Sequence, residues 1–191
     1  MPVFINRALH SQKGQSLIEL SFIVPLMVLL AYGAIEVGSV ISTYLTITHT
    51  SREGANLASR GTPPNDALDA IIAAAAPRIR NDNLSQWRII YSRIIQDPDI
   101  ACPPKPCVYI VDDVNANGQI IQGTLNKLSK LGTPGTHISA LPGIDDVNPG
   151  QTFHAFEVFY DYAPSIITYI GKGINTDFYD RTIFTNVSGS T

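Results

Sequence analysis

The first third of the chain is a long run of apolar and small residues with helical spacing. From Leu17 to Ala58 the strongest helix breaker is Pro25, and helices inside membranes tolerate proline. Residues 61–64 then read Gly-Thr-Pro-Pro, a strong helix stop. The pattern predicts one continuous helix over residues 15–61.

Residues 17–46 of this helix are long and apolar enough to cross a membrane. The hydrocarbon core of a bilayer takes about 20 helical residues, and the only charges in this stretch are Glu19 and Glu36. A cleaved secretory signal has a shorter apolar region of about 7–15 residues, followed by polar sequence. Basic residues without any acidic one precede the run: Arg7, His10 and Lys13. The positive-inside rule therefore predicts a cytoplasmic N-terminus, with the remainder outside the cytoplasm.

Beyond the helix stop, the spacing of apolar residues first predicts a second, shorter helix. Asn65 or Asp66 can cap its free amides, and Pro77 ends or bends it. Apolar positions then recur at i, i+3, i+4 and i+7: Leu68, Ile71, Ile72 and Ala75. This face is expected to pack on the rest of the domain.

The period changes to two after residue 86, which predicts β-strands. The β-branched and aromatic runs are residues 87–95, 107–114, 152–162 and 180–187. An Asn117-Gly118 pair predicts a hairpin turn into the segment "QIIQGTL". In the strand "TFHAFEVFYDY" the alternation places Phe156 and Val158 on a helix-facing side and Glu157 on the other. Residues 132–150, rich in Gly, Pro, Asp and Asn, predict a surface loop.

Together these elements predict an α+β protein. A long N-terminal helix and a second short helix accompany a small antiparallel sheet, with residues 62–191 forming the head domain outside the cytoplasm. The net charge of -3, with Lys and Arg scattered singly, leaves no basic stripe for a nucleic-acid backbone. No nucleophile elbow, phosphate-binding loop or zinc helix is present, so we expect neither an enzyme nor a cofactor.

The cysteines fall close together in the segment "CPPKPC". Cys102 and Cys107 would lie in an oxidising compartment outside the cytoplasm, which predicts a local disulfide. Closing so short a loop contributes about 2 kcal/mol on a chain-entropy account. A metal site would need further ligands nearby, and no histidine lies in or near this loop.

The segment "DVNANG" matches the first half of a calcium-binding loop, through Asp113, Asn115 and Asn117. The closing glutamate is missing, because the twelfth position is Thr124. A tight turn also needs Asn-Gly, so a turn is favoured over a calcium site and no metal is expected.

Glu19 opens the apolar run, where an ionised side chain costs about 2.5–3.5 kcal/mol in hydrocarbon. Three interpretations are open. Ser16 and Glu19 fit a capping box at a helix start. The carboxylate can instead lie shallow at the cytoplasmic interface. In the third interpretation the chain is cut before Gln15, and the new α-amino group needs a carboxylate partner.

The third interpretation rests on a resemblance. A short basic leader ending in glycine, a glutamate five residues later and an apolar helix resemble the signal of type IV prepilins. The segments "GQSLIELSFIVPLMVLLAYGAIEVG", "SREGANLASRG" and "FEVFYDYAP" are similar to the TadE-like minor pilins or pseudopilins of tight-adherence, type IVb pili. The similarity is good over residues 13–61 and loose beyond.

This resemblance implies residue roles and partners. Residues 1–14 would be a leader removed by prepilin peptidase between Gly14 and Gln15, and Glu19 would serve processing or assembly. Glu36, about 25 Å further along the helix, would be a polar contact between packed helices or would reach into the headgroups. Expected partners are prepilin peptidase, other pilin subunits, the inner-membrane assembly platform and the lipid bilayer. The expected location is the bacterial inner membrane, and incorporation into a pilus is left open.

A different class of function fits the same anchor. An uncleaved, signal-anchored extracytoplasmic binding or sensor domain would also carry an apolar N-terminal helix and a folded head. A tethered hydrolase is a third class, but no catalytic triad can be assembled from the sequence.

Overall fold

A computed structural model describes residues 12–75, 86–97, 99–100, 109–112, 118–138, 151–162 and 176–185. It confirms the α+β class. The chain divides into two compact units, Met1–Ser39 and Val40–Thr191. The elements in chain order are α1 (Gln12–Ser59), α2 (Pro64–Ala75), β1 (Trp87–Gln96), β2 (Tyr109–Val111), β3 (Gln119–Gln122), β4 (His137–Ile138), β5 (Phe153–Tyr162) and β6 (Thr176–Thr185).

Helix α1 is a single helix of 48 residues with Pro25 inside it, as the apolar run predicts. It begins at Gln12, so Ser16 lies within the helix and not at its N-cap position. The capping-box interpretation of Glu19 therefore does not hold for the uncut chain, because a capping box requires its serine at the N-cap.

The strands form one antiparallel sheet in the order β4-β2-β1-β5-β6, with β3 also paired to β1. The long strands β1 and β5 lie at its centre, and their register joins Tyr91 to Phe156 and Ile89 to Val158. Strand β6 pairs with β5 along its whole length. It begins at Thr176, four positions before the predicted start, because its pairing with β5 continues as far as Tyr162.

One face of the sheet packs on the helices of the head. Its core contains aromatic and β-branched side chains from β1 and β5 together with Ile47 of α1 and Leu68 and Ile71 of α2. The predicted apolar face of α2 is thus confirmed, with Ala67, Leu68, Ile71 and Ala75 buried. Pro64 at the first helical position has no amide hydrogen to leave unsatisfied there.

The opposite face of the sheet is covered as well. A second buried cluster joins Ile94 and Val111 to Phe153, Ala155 and Leu131. Leu131 belongs to the segment that follows β3, so residues outside regular elements close this face. Both faces of β1 and β5 are consequently buried.

The predicted hairpin between the second and third strands is wrong. Strands β2 and β3 do not pair with each other; both run antiparallel to β1, one beside Ile94–Gln96 and the other beside Ile89–Ser92. The backbone of Arg93 joins them, since its carbonyl accepts from Asp112 N at 2.8 Å and its amide donates to Gly118 O at 2.8 Å. Strands β2 and β3 therefore follow one another along the same edge of β1, and Asn117 of the predicted turn lies outside the described residues.

The surface loop predicted over residues 132–150 contains a short strand that pairs with the sheet. Strand β4 lies in it and pairs with β2, joining Tyr109 to Ile138. Gly132 and Gly135 have positive φ angles of 105° and 80°, a conformation that glycine adopts without steric cost. Turns at these two glycines thus bring residues 137–138 back to the edge of the sheet. The number of turn-forming residues in the segment does not predict this pairing.

Candidate anchor and processing site

The predicted cleavage junction lies in the first turns of α1. Gly14 and Gln15 have helical backbone, and the structure describes side chains from Ser16 onward. Glu19 follows about one turn later with an exposed side chain. At about 1.5 Å per residue, Gly14 and Glu19 are separated by roughly 8 Å along the helix. The residues proposed for cleavage and assembly therefore share one short stretch of helix.

The helix that follows exposes all of its large apolar side chains. Every such side chain from Leu17 to Val37 is about half exposed or more, from 49% at Val24 to 74% at Phe22. Within the described residues, Ser16–Ser59 is the one helix long and apolar enough to cross a membrane, and none of its most apolar window is buried. Leaving this surface in water costs about 25 cal/mol per Å² of apolar area. The helix is thus a candidate membrane span by its length and composition.

Glu36 lies in the same helix and is half-buried. The positions beside it are open: a Cβ placed on Gly33 or Gly38 would meet nothing within 4 Å. Small residues at such spacing let two helix backbones approach closely. The structure thus keeps Glu36 well separated from the Gly14–Glu19 stretch, next to a surface that a second helix can approach.

From Thr43 onward, α1 acquires a buried stripe made of small residues. Buried positions recur at helical spacing: Thr43, Ile47, Thr50, Ser51, Gly54, Ala55, Ala58 and Ser59. Arg52 and Glu53 lie on the exposed side. Small side chains bring the helix close to the sheet and to α2. The segment "SREGANLASRG" therefore has a structural role as the surface by which α1 joins the core of the head.

A polar contact within this stripe joins α1 to β6. Ser51 is fully buried, and its hydroxyl contacts the carboxylate of Asp180 and lies 3.0 Å from Oγ1 of Thr182. A buried hydroxyl needs such partners, because its transfer out of water is otherwise unfavourable. The contact fixes which part of β6 lies beside α1.

A buried carboxylate on the opposite face of the sheet was not predicted. Glu157 is fully buried and accepts hydrogen bonds from the Ser129 hydroxyl, from the Lys130 amide at 2.9 Å and from the Tyr179 hydroxyl at 2.8 Å. Burial, and then the Glu157 carboxylate, raise the pKa of Tyr179 well above its ordinary value, so this tyrosine remains a donor. The cluster ties the segment after β3 to the sheet.

The same segment is held a second time by an arginine. Arg88 Nη1 donates to the carbonyls of Leu125 at 2.9 Å and Lys127 at 2.7 Å.

The cover over Glu157 was missed in the sequence. Alternation along the strand places Glu157 on the face away from the helices but does not show that another segment covers this face. The sequence signal was present, since Phe153, Ala155 and Phe159 make that second face apolar too.

The head carries an open groove of about 350 Å³ between α1 and α2. Its lining includes His49, Glu53 and Leu57 from α1 and Ala70 and Ala74 from α2. The groove combines an apolar floor with two titratable side chains. It is the kind of feature that a binding head would use.

The remaining predicted site residues lie outside the described residues. These are the disulfide candidates Cys102 and Cys107 and the calcium candidates Asp113, Asn115 and Asn117. Across the part of the chain that the structure describes, no group of three or more His, Cys, Asp or Glu side chains could hold a metal ion.

Comparison with known proteins finds one family. Residues 14–56 match the family of TadE-like proteins, which is consistent with a TadE-like protein of a pilus system. The match begins at the glycine of the predicted cleavage junction and ends within the small-residue stripe of α1. No curated protein and no solved structure matches the chain.

Proposed function

We propose that this chain is a minor pilin or pseudopilin of a tight-adherence, type IVb pilus. In this role prepilin peptidase removes residues 1–14, and the processed subunit is held in the bacterial inner membrane by α1 until it joins a filament or its assembly platform. The observation that carries the proposal is the exposed apolar surface of α1 from Leu17 to Val37, with Glu19 at its N-terminal end. The family match over residues 14–56 supports the same role.

Glu19 is the residue on which assembly depends in this proposal. Cleavage after Gly14 creates an α-amino group on Gln15, about 6 Å from Glu19 along the same helix at about 1.5 Å per residue. In an apolar environment an ammonium and a carboxylate attract each other far more strongly than at a surface, although each also costs more to desolvate. The pair therefore stabilises a packed subunit, whether the amine is its own or belongs to a neighbour.

Assembly exchanges one apolar environment for another. The side chains from Leu17 to Val37 leave lipid and contact the helices of neighbouring subunits, so no new hydrophobic burial drives the step. The free energy of assembly then comes from close helix packing beside Gly33 and Gly38. It also comes from the polar contacts that Glu19 and Glu36 each make in the packed helices. The proposed role is mechanical and involves no catalysis by this chain.

Mass spectrometry of the protein from cells with and without prepilin peptidase tests the processing step. We expect a chain beginning at Gln15 in the first strain and a chain retaining residues 1–14 in the second. Retention of the leader in both strains would overturn the proposal. Immunogold labelling of sheared pili then separates a filament subunit from a factor that stays in the membrane.

A second function is favoured by the groove between α1 and α2. An uncleaved, membrane-anchored binding or sensor head would use that 350 Å³ groove, lined by His49 and Glu53, to hold a ligand. The same mass measurement separates the two functions, because only this one leaves residues 1–14 in place when the peptidase is present.

A further inference from the structure

Four aromatic side chains form a continuous row at one end of the sheet of the head. In order they are Tyr44 of α1, Phe178 of β6, and Tyr162 and Tyr160 of β5. Ring centroids are 6.1 Å apart for Tyr44 and Phe178, 5.9 Å for Phe178 and Tyr162, and 6.5 Å for Tyr162 and Tyr160. We call these four residues the aromatic row.

The aromatic row leads from the core to the surface. Tyr160 is 7% exposed, Tyr162 and Phe178 are half-buried, and Tyr44 is 47% exposed. The inner members pack against the helix-facing core of the head. The row is therefore anchored firmly at one end and presents large apolar surface at the other.

The helix around Tyr44 has one exposed apolar face and one face buried in the head. Ile41 and Leu45 are 55% and 51% exposed and lie with Tyr44 on one face, at i, i+3 and i+4. The other face carries Thr43 and Ile47, which are buried in the head. Ile41, Tyr44 and Leu45 therefore form an exposed apolar face on the side of α1 that does not pack on the sheet. This face needs an apolar neighbour of its own.

The spacing along α1 identifies that neighbour. The hydrocarbon core of a bilayer takes about 20 helical residues. Counted from Leu20, the first residue after Glu19, these end near Ser39, and Tyr44 follows about 8 Å further along α1 at about 1.5 Å per residue. Tyrosine is enriched at the membrane–water interface, because its ring is apolar and its hydroxyl is polar. Tyr44 therefore falls at the headgroup layer on the side of the head.

The charged side chains near the aromatic row are compatible with a position at the headgroup layer. Asp177, next to Phe178 in β6, forms an ion pair with Lys127 Nζ at 2.5 Å. Its register partner is a second acid, Asp161, and both lie on the sheet face opposite the aromatic row. On the face of the row itself, Asp180 follows Phe178 by two residues, and its carboxylate contacts the buried hydroxyl of Ser51.

We propose that the aromatic row binds the phospholipid headgroup layer of the membrane that holds α1, so that the head rests on the bilayer before any filament forms. The inference depends on the membrane anchoring contained in the proposed function, and it is independent of leader cleavage and of filament assembly.

Tryptophan depth measurements in vesicles test this contact. The full chain is reconstituted in phosphatidylethanolamine–phosphatidylglycerol vesicles as Phe178→Trp and, separately, as Phe184→Trp. Both positions lie on the same face of β6, roughly 20 Å apart at about 3.3 Å per residue, and Phe184 is 39% exposed. The native Trp87 is the only tryptophan in the chain, and its signal in the unsubstituted protein is subtracted. Nitroxide quenchers are attached either to the lipid headgroup or deep in the acyl chain.

In the Phe178→Trp variant we expect the added indole to be quenched by the headgroup nitroxide, more weakly by the deep one, and to emit at shorter wavelength when vesicles are present. The Phe184→Trp variant should show neither effect. If Phe178→Trp does not fold, Tyr44→Trp places the indole on α1 instead, and we expect the same quenching by the headgroup nitroxide. Equal quenching at positions 178 and 184, or none at either, would overturn the proposal. The indole at position 178 could also become shielded only in assembled filaments. That result would show that the aromatic row contacts another protein chain, and it would overturn the proposal as well.

Flotation of the same vesicles distinguishes this failure from failure of the proposed function. A chain that floats with the vesicles without quenching at position 178 is anchored but does not rest on the bilayer. A chain that does not float lacks the anchoring itself, and both proposals then fall.

Discussion

Gly54 of α1 lies directly against the ring of Phe156 in β5. A Cβ at position 54 would stand 2.6 Å from Cδ1 of Phe156 and 2.9 Å from Cδ1 of Ile71 in α2. These separations are too short for carbon atoms in contact, so the absence of a side chain at Gly54 sets how closely α1, α2 and the sheet approach one another.

Gly54→Ala should therefore destabilise the head. Overpacking of this kind costs about 1–3 kcal/mol, and the better helix propensity of alanine offsets up to about 1 kcal/mol of it. Gly38→Ala is the matched control, because it changes the same residue in the same helix where nothing lies within 4 Å. Urea unfolding of the full chain in detergent measures both; equal midpoints for the two variants would contradict the packing argument.

Glu157→Gln should destabilise the cover over the second face of the sheet. The carboxylate accepts from Ser129, Lys130 and Tyr179, whereas an amide has one acceptor oxygen and adds two donors facing other donors. Leaving a buried donor unsatisfied costs about 1–3 kcal/mol. The same substitution at the exposed Glu53 should stay within about 0.5 kcal/mol. Unfolding midpoints in urea compare the two, and a cost at Glu53 as large as at Glu157 would refute the assignment.

Stability should fall at alkaline pH through Tyr91. Burial raises the pKa of Tyr91 from 10.0 to about 12, with Arg93 lowering it and Asp112 raising it further. Because the folded pKa lies above the unfolded one, the folded state keeps the proton longer. Its contribution is complete below pH 10 and is lost as the pH rises from 10 through about 12. Tyr91→Phe should make this alkaline decline shallower, and tyrosinate absorbance followed during the titration checks the assignment.

Stability should also fall at acid pH, through His154, the hydrogen-bond partner of Tyr91. Nδ1 of His154 lies 2.9 Å from the Tyr91 hydroxyl, and burial, followed by the nearby Arg93, lowers the pKa of His154 below its ordinary 6.5. A depressed pKa gives stability that is present above 6.5 and is lost as the pH falls through the folded value. His154→Gln should weaken the acid dependence in that window. An unchanged slope of unfolding free energy against pH would exclude His154 as its source.

The disulfide between Cys102 and Cys107 stays a prediction, since both residues lie outside the described ones. Protein from an oxidising compartment should resist thiol alkylation until it is reduced, and should then gain the mass of two labels. Cys102→Ser with Cys107→Ser should cost about 2 kcal/mol of head stability. Full labelling without reduction would show that no bridge forms.

Glu19→Gln tests the polar pairing proposed for assembly. The change keeps the size of the side chain and removes the charge that would pair with the freed amine. We expect filaments to be lost, with the protein still in the membrane, and Glu36→Gln should reduce filament yield less because Glu36 has no such amine near it in sequence. The measurement is the pilin content of sheared fractions. Normal fibre yield from Glu19→Gln would remove the role assigned to this carboxylate.

Elements with their own strong periodicity could be predicted from the sequence. Helix α1, helix α2 and the central strands β1 and β5 each carry an apolar pattern that decides their type without reference to the rest of the chain, and in α2 the pattern also gives the buried face. The candidate membrane span could be predicted from the same kind of pattern. Its two carboxylates, Glu19 and Glu36, stand out because charged residues are rare in an apolar run.

Relationships between elements could not be predicted in the same way. Asn117-Gly118 is a good turn signal, but the pairing of β2 and β3 is decided by which edge of β1 each can reach. Phe153, Ala155 and Phe159 signal that the second face of the sheet is covered, but no local pattern identifies residues 124–131 as the segment that covers Glu157. Gly54 looks like one more small residue in a helix until the ring of Phe156 is placed beside it.

The double use of Arg93 has a consequence for insertions into the head. Asp112 and Gly118 both bond to the backbone of Arg93, so a single residue of β1 aligns the end of β2 and the residue that leads into β3. We therefore expect an epitope tag inserted between these two positions to leave the pairing of β2 and β3 with β1 intact.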